Sequence, residues 1–135
     1  MKASTWKWIA IAFIVLFAIA AWFALTFYFE EQPLTIIPFS DTVVSQEAGS
    51  ASGLTFKVPR AGIVEVIVLE STTTNTYVEI TGTSIYGWTY DSGKIPVGTG
   101  GTVYFPVAPG MVTVYIGNTN AFGTATETVT IIYHS

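Results

Sequence analysis

The chain has 135 residues, no cysteine, one histidine and a net charge of −4. Its length holds a membrane anchor and one domain of about 100 residues. Without cysteine there is no disulfide scaffold, thiolate metal site or cysteine nucleophile, and one histidine rules out a cupredoxin-like copper site or a histidine-rich zinc site.

Residues 8–29, WIAIAFIVLFAIAAWFALTFYF, are uncharged and almost wholly apolar. At about 1.5 Å per residue, one helix of this run crosses roughly 30 Å of hydrocarbon. Lys2 and Lys7 precede the run, and Glu30 and Glu31 follow it. Because basic residues stay on the cytoplasmic side, the pattern predicts a cytoplasmic tail (1–7), a transmembrane helix (8–29) and an exported remainder. Trp6 and Trp8 mark one interface and Tyr28 the other, and Lys7 can snorkel to the head groups. A secretory signal is the rival reading, but its apolar core runs about 7–15 residues and closes on a small-x-small site. Here the run closes on Phe27, Tyr28, Phe29 and two acids. An uncleaved anchor is the expectation. No Asp, Glu, His or Arg interrupts the run, which argues against an ion or proton path. Ala20 and Ala24 form a small-xxx-small pair and are the candidate helix-packing residues, although alanine as filler is the plainer reading.

The exported part carries Lys57, Arg60 and Lys94 against nine acids, a net of −6. That balance speaks against nucleic acid or anionic head groups as main ligands. Its Thr, Val, Ile, Tyr and Gly are strand and turn residues. Residues 30–53 read as a linker, with Pro33 and Pro38 ending the helix and 41–46 a candidate first strand. The segment 47–53 (EAGSASG) reads as a loop.

Residues 54–135 read as the sandwich domain. Strands are expected at 54–58, 63–70, 76–81, 85–90, 94–97, 102–107, 111–117 and 126–133. The run 63–70 is the best central strand, and 94–97 suits an edge because of Pro96. Ala108-Pro109-Gly110 is expected to be a hairpin turn. The whole is an all-β exported sandwich of eight or nine short strands, Ig-like or jelly-roll, after one transmembrane helix. Alternation predicts a core of Phe56, Val64, Val66, Val68, Val78, Ile80, Val103, Phe105, Val112, Val114, Ile116, Val129 and Ile131.

No catalytic motif appears. His134 is the penultimate residue and reads as a solvated tail. There is no G-x-S-x-G, and no N-x-Ser/Thr sequon. Glu65, Glu79, Asp91 and Glu127 could supply paired carboxylates, but no spacing joins two of them. Asp41, Glu47 and Asp91 lack a dense calcium-loop pattern. Residues 98–101 (GTGG) precede no helix and read as a strand connection, not a phosphate cradle. Tyr86, Trp88 and Tyr90 alternate and form the candidate partner-binding face, with Tyr77, Tyr104 and Tyr115 as further members. Sheet-stabilising cross-strand pairs are the plainer reading of these aromatics.

An apolar N-terminal helix before a Thr-rich sandwich, with Lys2-Ala3 followed by Ser4, loosely resembles archaeal type IV pilin-like surface proteins. The resemblance implies leader cleavage before Ser4 and a helix packed in a filament core, where Trp6, Lys7, Trp8 and Trp22 would be bulky or charged members. The leading expectation is a non-catalytic single-span membrane protein, a structural or accessory subunit of a membrane or cell-surface assembly. Its expected partners are the lipid bilayer and other membrane or surface proteins, self included. No cofactor, metal or nucleic acid is expected. The alternatives are a filament subunit, bundled by its helix or by donation of 34–45 to a neighbour's sheet, and a membrane-anchored ligand-binding module.

Overall fold

The computed structural model describes residues 3–30 and 32–135. Lys2 and Glu31 of the charge flanks lie outside the described residues, as do the side chains of Tyr28 and Glu30. The chain divides into two compact units, Met1–Pro33 and Leu34–Ser135.

The first unit is one helix, α1 (Ala3–Glu30). The helix takes in most of the expected 1–7 tail, because extending an existing helix adds a hydrogen bond for each residue fixed. Apolar side chains are exposed around it, among them Trp8, Phe13, Leu16, Phe17 and Trp22. Its stretch Ser4–Thr26 is long and apolar enough to cross a bilayer, a criterion that a signal sequence also meets.

The second unit holds nine strands among the described residues: β1 (Thr35–Gln46), β2 (Ala51–Val58), β3 (Gly62–Ser71), β4 (Thr76–Ser84), β5 (Thr89–Asp91), β6 (Ile95–Gly98), β7 (Gly101–Val107), β8 (Gly110–Asn118) and β9 (Ala125–His134). One antiparallel sheet has the order β1-β9-β3-β7. The other has the order β2-β8-β4-β5, with β6 also on β4. The pairs nest: β1 with β9, β2 with β8, β3 with β7, and β4 with β5 and β6. A long two-stranded ribbon wrapped into two sheets has this order, which is the jelly-roll topology. It decides between the two sandwich types that the strand pattern left open.

Inward-facing positions fill the space between the sheets. Val64, Val66, Val68, Val78, Ile80, Val103, Val112, Val114, Ile116, Val129 and Ile131 are buried there, joined by Val44, Val58, Val107 and Tyr133. Phe56 and Phe105 are only half-buried, because each lies where the open sides of the sandwich meet. Phe39 of β1 meets Phe56 of β2 edge to face at 6.3 Å and closes one side. Tyr90 of β5 stacks on Phe105 of β7 at 6.2 Å and closes the other. β3 is an interior strand, as expected of 63–70.

Four local expectations are corrected. β1 starts at Thr35, six residues early. It passes Pro38 through register shifts between Ile36 and Thr42, and Asp41 takes φ 46°. An edge strand tolerates a proline at such an irregularity. Residues 51–53 belong to β2, not to a loop. Residues 85–88 form a turn: the Gly87 N–H donates to the Ser84 carbonyl at 3.1 Å, with φ 90° at Gly87. Finally, 108–110 is not a hairpin turn. β7 pairs with β3 in one sheet and β8 with β2 and β4 in the other, so this link crosses between sheets.

Candidate functional site

Register defines the two ends of the sandwich. Thr35 and Ile63 both pair with His134, Gly62 with Val107, and Val58 and Ser84 both with Gly110. These residues share one end with Leu34, whose carbonyl accepts from the Ser135 N–H at 2.9 Å. The chain therefore enters its sandwich at the same end as the 59–61 link, the 84–88 turn and the 108–109 crossing. Gln46, Ser71, Thr76 and Asn118 lie at the opposite end.

At the entry end lies a groove of about 680 Å³. One wall is Ile85, Tyr86, Trp88 and Tyr90. The other is Phe105 to Pro109, with Pro59, Arg60 and Ala61 completing the lining. Three sequence features shape it. The Ser84 hydroxyl accepts from the Tyr86 N–H at 3.0 Å, fixing the turn that presents Tyr86. The Ile85 N–H donates to the Pro109 carbonyl at 2.8 Å, tying the turn to the crossing. Trp88 packs against Tyr90 at 5.7 Å, so Trp88, Tyr90 and Phe105 make an aromatic ladder between the edges of the two sheets.

Tyr86, Trp88 and Tyr90 thus line one groove, brought there by a turn and not by strand alternation. Tyr86 and Trp88 are 72% and 51% exposed. Tyr90 is half-buried, and its hydroxyl is buried beside the Ala108 backbone. Burial raises its pKa, opposed by the nearby Ala108 backbone amide. The other tyrosines do not join them. Tyr77 is buried with the Lys94 ammonium 4.8 Å from its ring centroid, and Tyr115 is exposed on β8. Tyr104 is exposed on β7, where it donates to Glu65. The groove walls are mainly carbon, suited to apolar or amphipathic groups.

Two polar clusters lie elsewhere. On the outer face of β3, Glu65 bridges His134 Nε2 at 3.0 Å and the Tyr104 hydroxyl at 3.1 Å. The His134 hydrogen bond holds the Glu65 carboxyl below its ordinary pKa against a smaller opposing effect of burial. His134 is therefore the last residue of a paired strand, not a free tail. At the far end, Glu127 is fully buried and accepts from Gln46 Nε2 at 2.6 Å and from the Ser71 hydroxyl at 3.4 Å. Asn118 Nδ2 donates to Gln46 Oε1 at 3.2 Å, linking β1, β8 and β9. Burial raises the Glu127 pKa, partly offset by the Gln46, Ser71 and Thr76 side chains. A signal for this buried acid was present in the sequence: alternation that puts Val129 and Ile131 inside also puts Glu127 inside.

The four candidate carboxylates are not brought together. Glu65 lies on β3, Glu79 on β4, Asp91 on β5 and Glu127 inside β9. Among the described residues no group of three His, Asp or Glu side chains converges as a metal site would require. Ala20 and Ala24 are exposed, one helical turn apart on α1.

No family model and no curated protein matches the chain. Among solved structures it is similar to the pre-peptidase C-terminal domain of collagenase from Bacillus anthracis (18% identity, TM-score 0.45, 67% of this chain and 89% of that one). It is similar too to the structure of infectious bursal disease virus Gx strain (11%, 0.45, 78% and 32%). A third is the enzymatically active domain of tailspike protein 4 of bacteriophage CBA120 (13%, 0.43, 77% and 19%). The chain spans about a third and a fifth of the latter two.

Proposed function

We propose that this chain is a non-catalytic single-span membrane protein, with a cytoplasmic N-terminus and an exported jelly roll, serving as a structural or accessory subunit of a larger membrane or cell-surface assembly. The observation that carries the reading is α1, whose apolar side chains are exposed on all sides. A helix that is hydrophobic all round belongs in a bilayer or among other apolar helices. The lysines before it and the acids after it support the orientation. Ala20 and Ala24 offer a partner helix close approach. At the far end of the sandwich, Phe122 stands 91% exposed and is a contact for an exported partner domain.

The test is extraction of native membranes in mild detergent, followed by native electrophoresis and identification of co-purifying chains. A discrete species larger than the monomer is expected, reduced by the double substitution Ala20→Leu and Ala24→Leu. A monomer with no companion would overturn the reading.

A pilin-like filament subunit is the second reading, favoured by Lys2-Ala3-Ser4 ahead of the apolar run. Sequencing the native N-terminus separates the two. A start at Met1 or Lys2 supports the permanent anchor, and a start at Ser4 supports processing.

A further inference from the structure

The two ends of the sandwich are complementary in shape. At the far end, residues 119–124 join β8 to β9 and carry Phe122, which is 91% exposed. A single exposed apolar ring on a loose loop would mean little, because such residues are common on surfaces. This loop is held at its base. The Thr119 N–H donates to the Asn75 carbonyl at 3.1 Å, and the Asn120 N–H donates to Asn118 Oδ1 at 3.2 Å. Asn120 Oδ1 accepts from the Thr73 hydroxyl at 2.8 Å and from Asn75 Nδ2 at 2.9 Å. Ordering the loop therefore adds little to the cost of binding. Phe122 projects from this base as a knob.

At the entry end, the groove of about 680 Å³ is lined mainly by carbon, with Tyr86 and Trp88 exposed at its rim. Pockets of roughly 300–1,000 Å³ hold whole small molecules, so the groove has room for one phenyl ring with the small Ala121 and Gly123 beside it. Aromatic rings pack there offset or edge to face. Charge agrees with shape. Glu47 is exposed at the foot of the Phe122 loop, where its carbonyl accepts from Asn118 Nδ2 at 3.1 Å. Glu70 is exposed at the same end. Lys57 is exposed two residues before Pro59 of the groove. The acids toward the groove are engaged, Glu65 with His134 and Tyr104, and Asp91 with the Gly93 N–H. Lys94 lies over the Tyr77 ring, 4.8 Å from its centroid.

We infer that the occupant of the groove is a second copy of this chain, whose Phe122 seats against Tyr86 and Trp88 while its Glu47 pairs with Lys57. Knob and groove lie at opposite ends of one sandwich, so the contact is heterologous. Each joined pair keeps one unused Phe122 and one unused groove, and copies add in an open series. β3 has 10 residues, so the repeat is on the order of 33 Å, at roughly 3.3 Å per residue. One buried ring covers only about 150–250 Å², against roughly 1,200–2,000 Å² for a stable interface. The joint is weak singly and holds where an assembly keeps the copies close. This inference rests on the assembly proposed above and names its exported partner domain as a second copy of the sandwich.

The test uses the full chain, concentrated in mild detergent, with cysteine placed at two exposed alanines. Ala61→Cys marks the groove and Ala121→Cys the knob. Oxidising a mixture of the two single variants should give the 61–121 cross-link several-fold above 61–61 and 121–121. The double variant should give a ladder of dimers, trimers and longer species. On that background Phe122→Ala, at an exposed position that leaves the fold intact, should remove most of the ladder, and Phe122→Trp should keep it. Glu47→Lys should weaken the ladder, and adding Lys57→Glu should restore it. Excess of 61–61 or 121–121 overturns the inference. So does a 61–121 yield no higher than that of Thr55→Cys, on β2, with Ala121→Cys, or a ladder indifferent to Phe122→Ala. If these cross-links fail while native membranes yield a larger species, the assembly stands without this joint. A monomer in both experiments overturns both.

Discussion

Gly82 and Tyr90 are register partners across β4 and β5, and the Tyr90 ring occupies the place of the side chain that Gly82 lacks. A Cβ on Gly82 would stand 2.1 Å from Tyr90 Cζ. The glycine in the middle of a strand is thus the hole into which the central ring of the Trp88–Tyr90–Phe105 ladder fits. Gly82→Ala should force that ring out and cost about 1–3 kcal/mol, as overpacking does. Thermal unfolding of the full chain in detergent should fall by about 4–8 °C per kcal/mol. An unchanged transition would mean that the ladder relaxes freely.

Gly110 should be still less replaceable. It opens β8 just after the crossing between sheets, at φ 142°, and a Cβ there would stand 2.2 Å from the Thr83 carbonyl oxygen. The obstacle is backbone, which cannot rotate away, and the conformation is one that L side chains rarely adopt. Gly110→Ala is expected to cost roughly 2–4 kcal/mol, more than Gly82→Ala. Comparing the two variants in denaturant gives the order directly.

Glu127 sets a pH dependence of unusual sign. Its folded pKa is raised by burial from an ordinary value of 4.5. The fold therefore binds this proton more tightly than the unfolded chain does. The associated stability is full below the unfolded value and is lost as pH rises through the folded one. Glu127→Gln keeps an acceptor for Gln46 and removes the charge, so it should match or exceed the wild type at neutral pH and flatten this slope. Glu127→Ala strands the Gln46 amide and should cost about 1–3 kcal/mol. Denaturant unfolding between acid and neutral pH, on both variants, checks the pair. A Glu127→Gln variant weaker than the wild type at neutral pH would contradict the sign.

Glu65 acts oppositely. Its folded pKa is lowered, first by the His134 hydrogen bond, so its contribution is present above 4.5 and fades as pH falls through the folded value. The imidazole is 44% exposed, which limits the pair to less than about 1 kcal/mol. His134→Ala should raise the Glu65 pKa, readable by NMR titration of its side-chain carboxyl, with little change in stability at neutral pH. An unmoved pKa would mean that His134 does not hold the carboxylate.

Much of this molecule was legible because its information is local. The uncharged run of 8–29 specifies a helix with an apolar surface, and a two-residue period specifies which side of each strand is inside. Val64, Val66 and Val68, or Val112, Val114 and Ile116, are interior on any pairing of strands. The same period carried Glu127 inward, but a carboxylate on an inner face reads as acceptable only once Gln46, Ser71 and Thr76 are seen to reach it. Those residues lie on three other strands. Tyr86, Trp88 and Tyr90 line one groove, but not through the strand alternation expected of 85–90. Alternation was assumed where Gly87 makes a turn, and what joins the three is the groove between two sheet edges.

By itself, then, the sequence determined the apolar helix, the strand periods and the core positions, because helix burial and side-chain alternation depend on neighbours a few residues away. Only the tertiary structure decided that β7 and β8 part into different sheets at Pro109, that the ribbon wraps as a jelly roll, and that the groove shares an end with Leu34. Those are pairings of residues far apart in the chain, and no local preference records which strand edge another will meet.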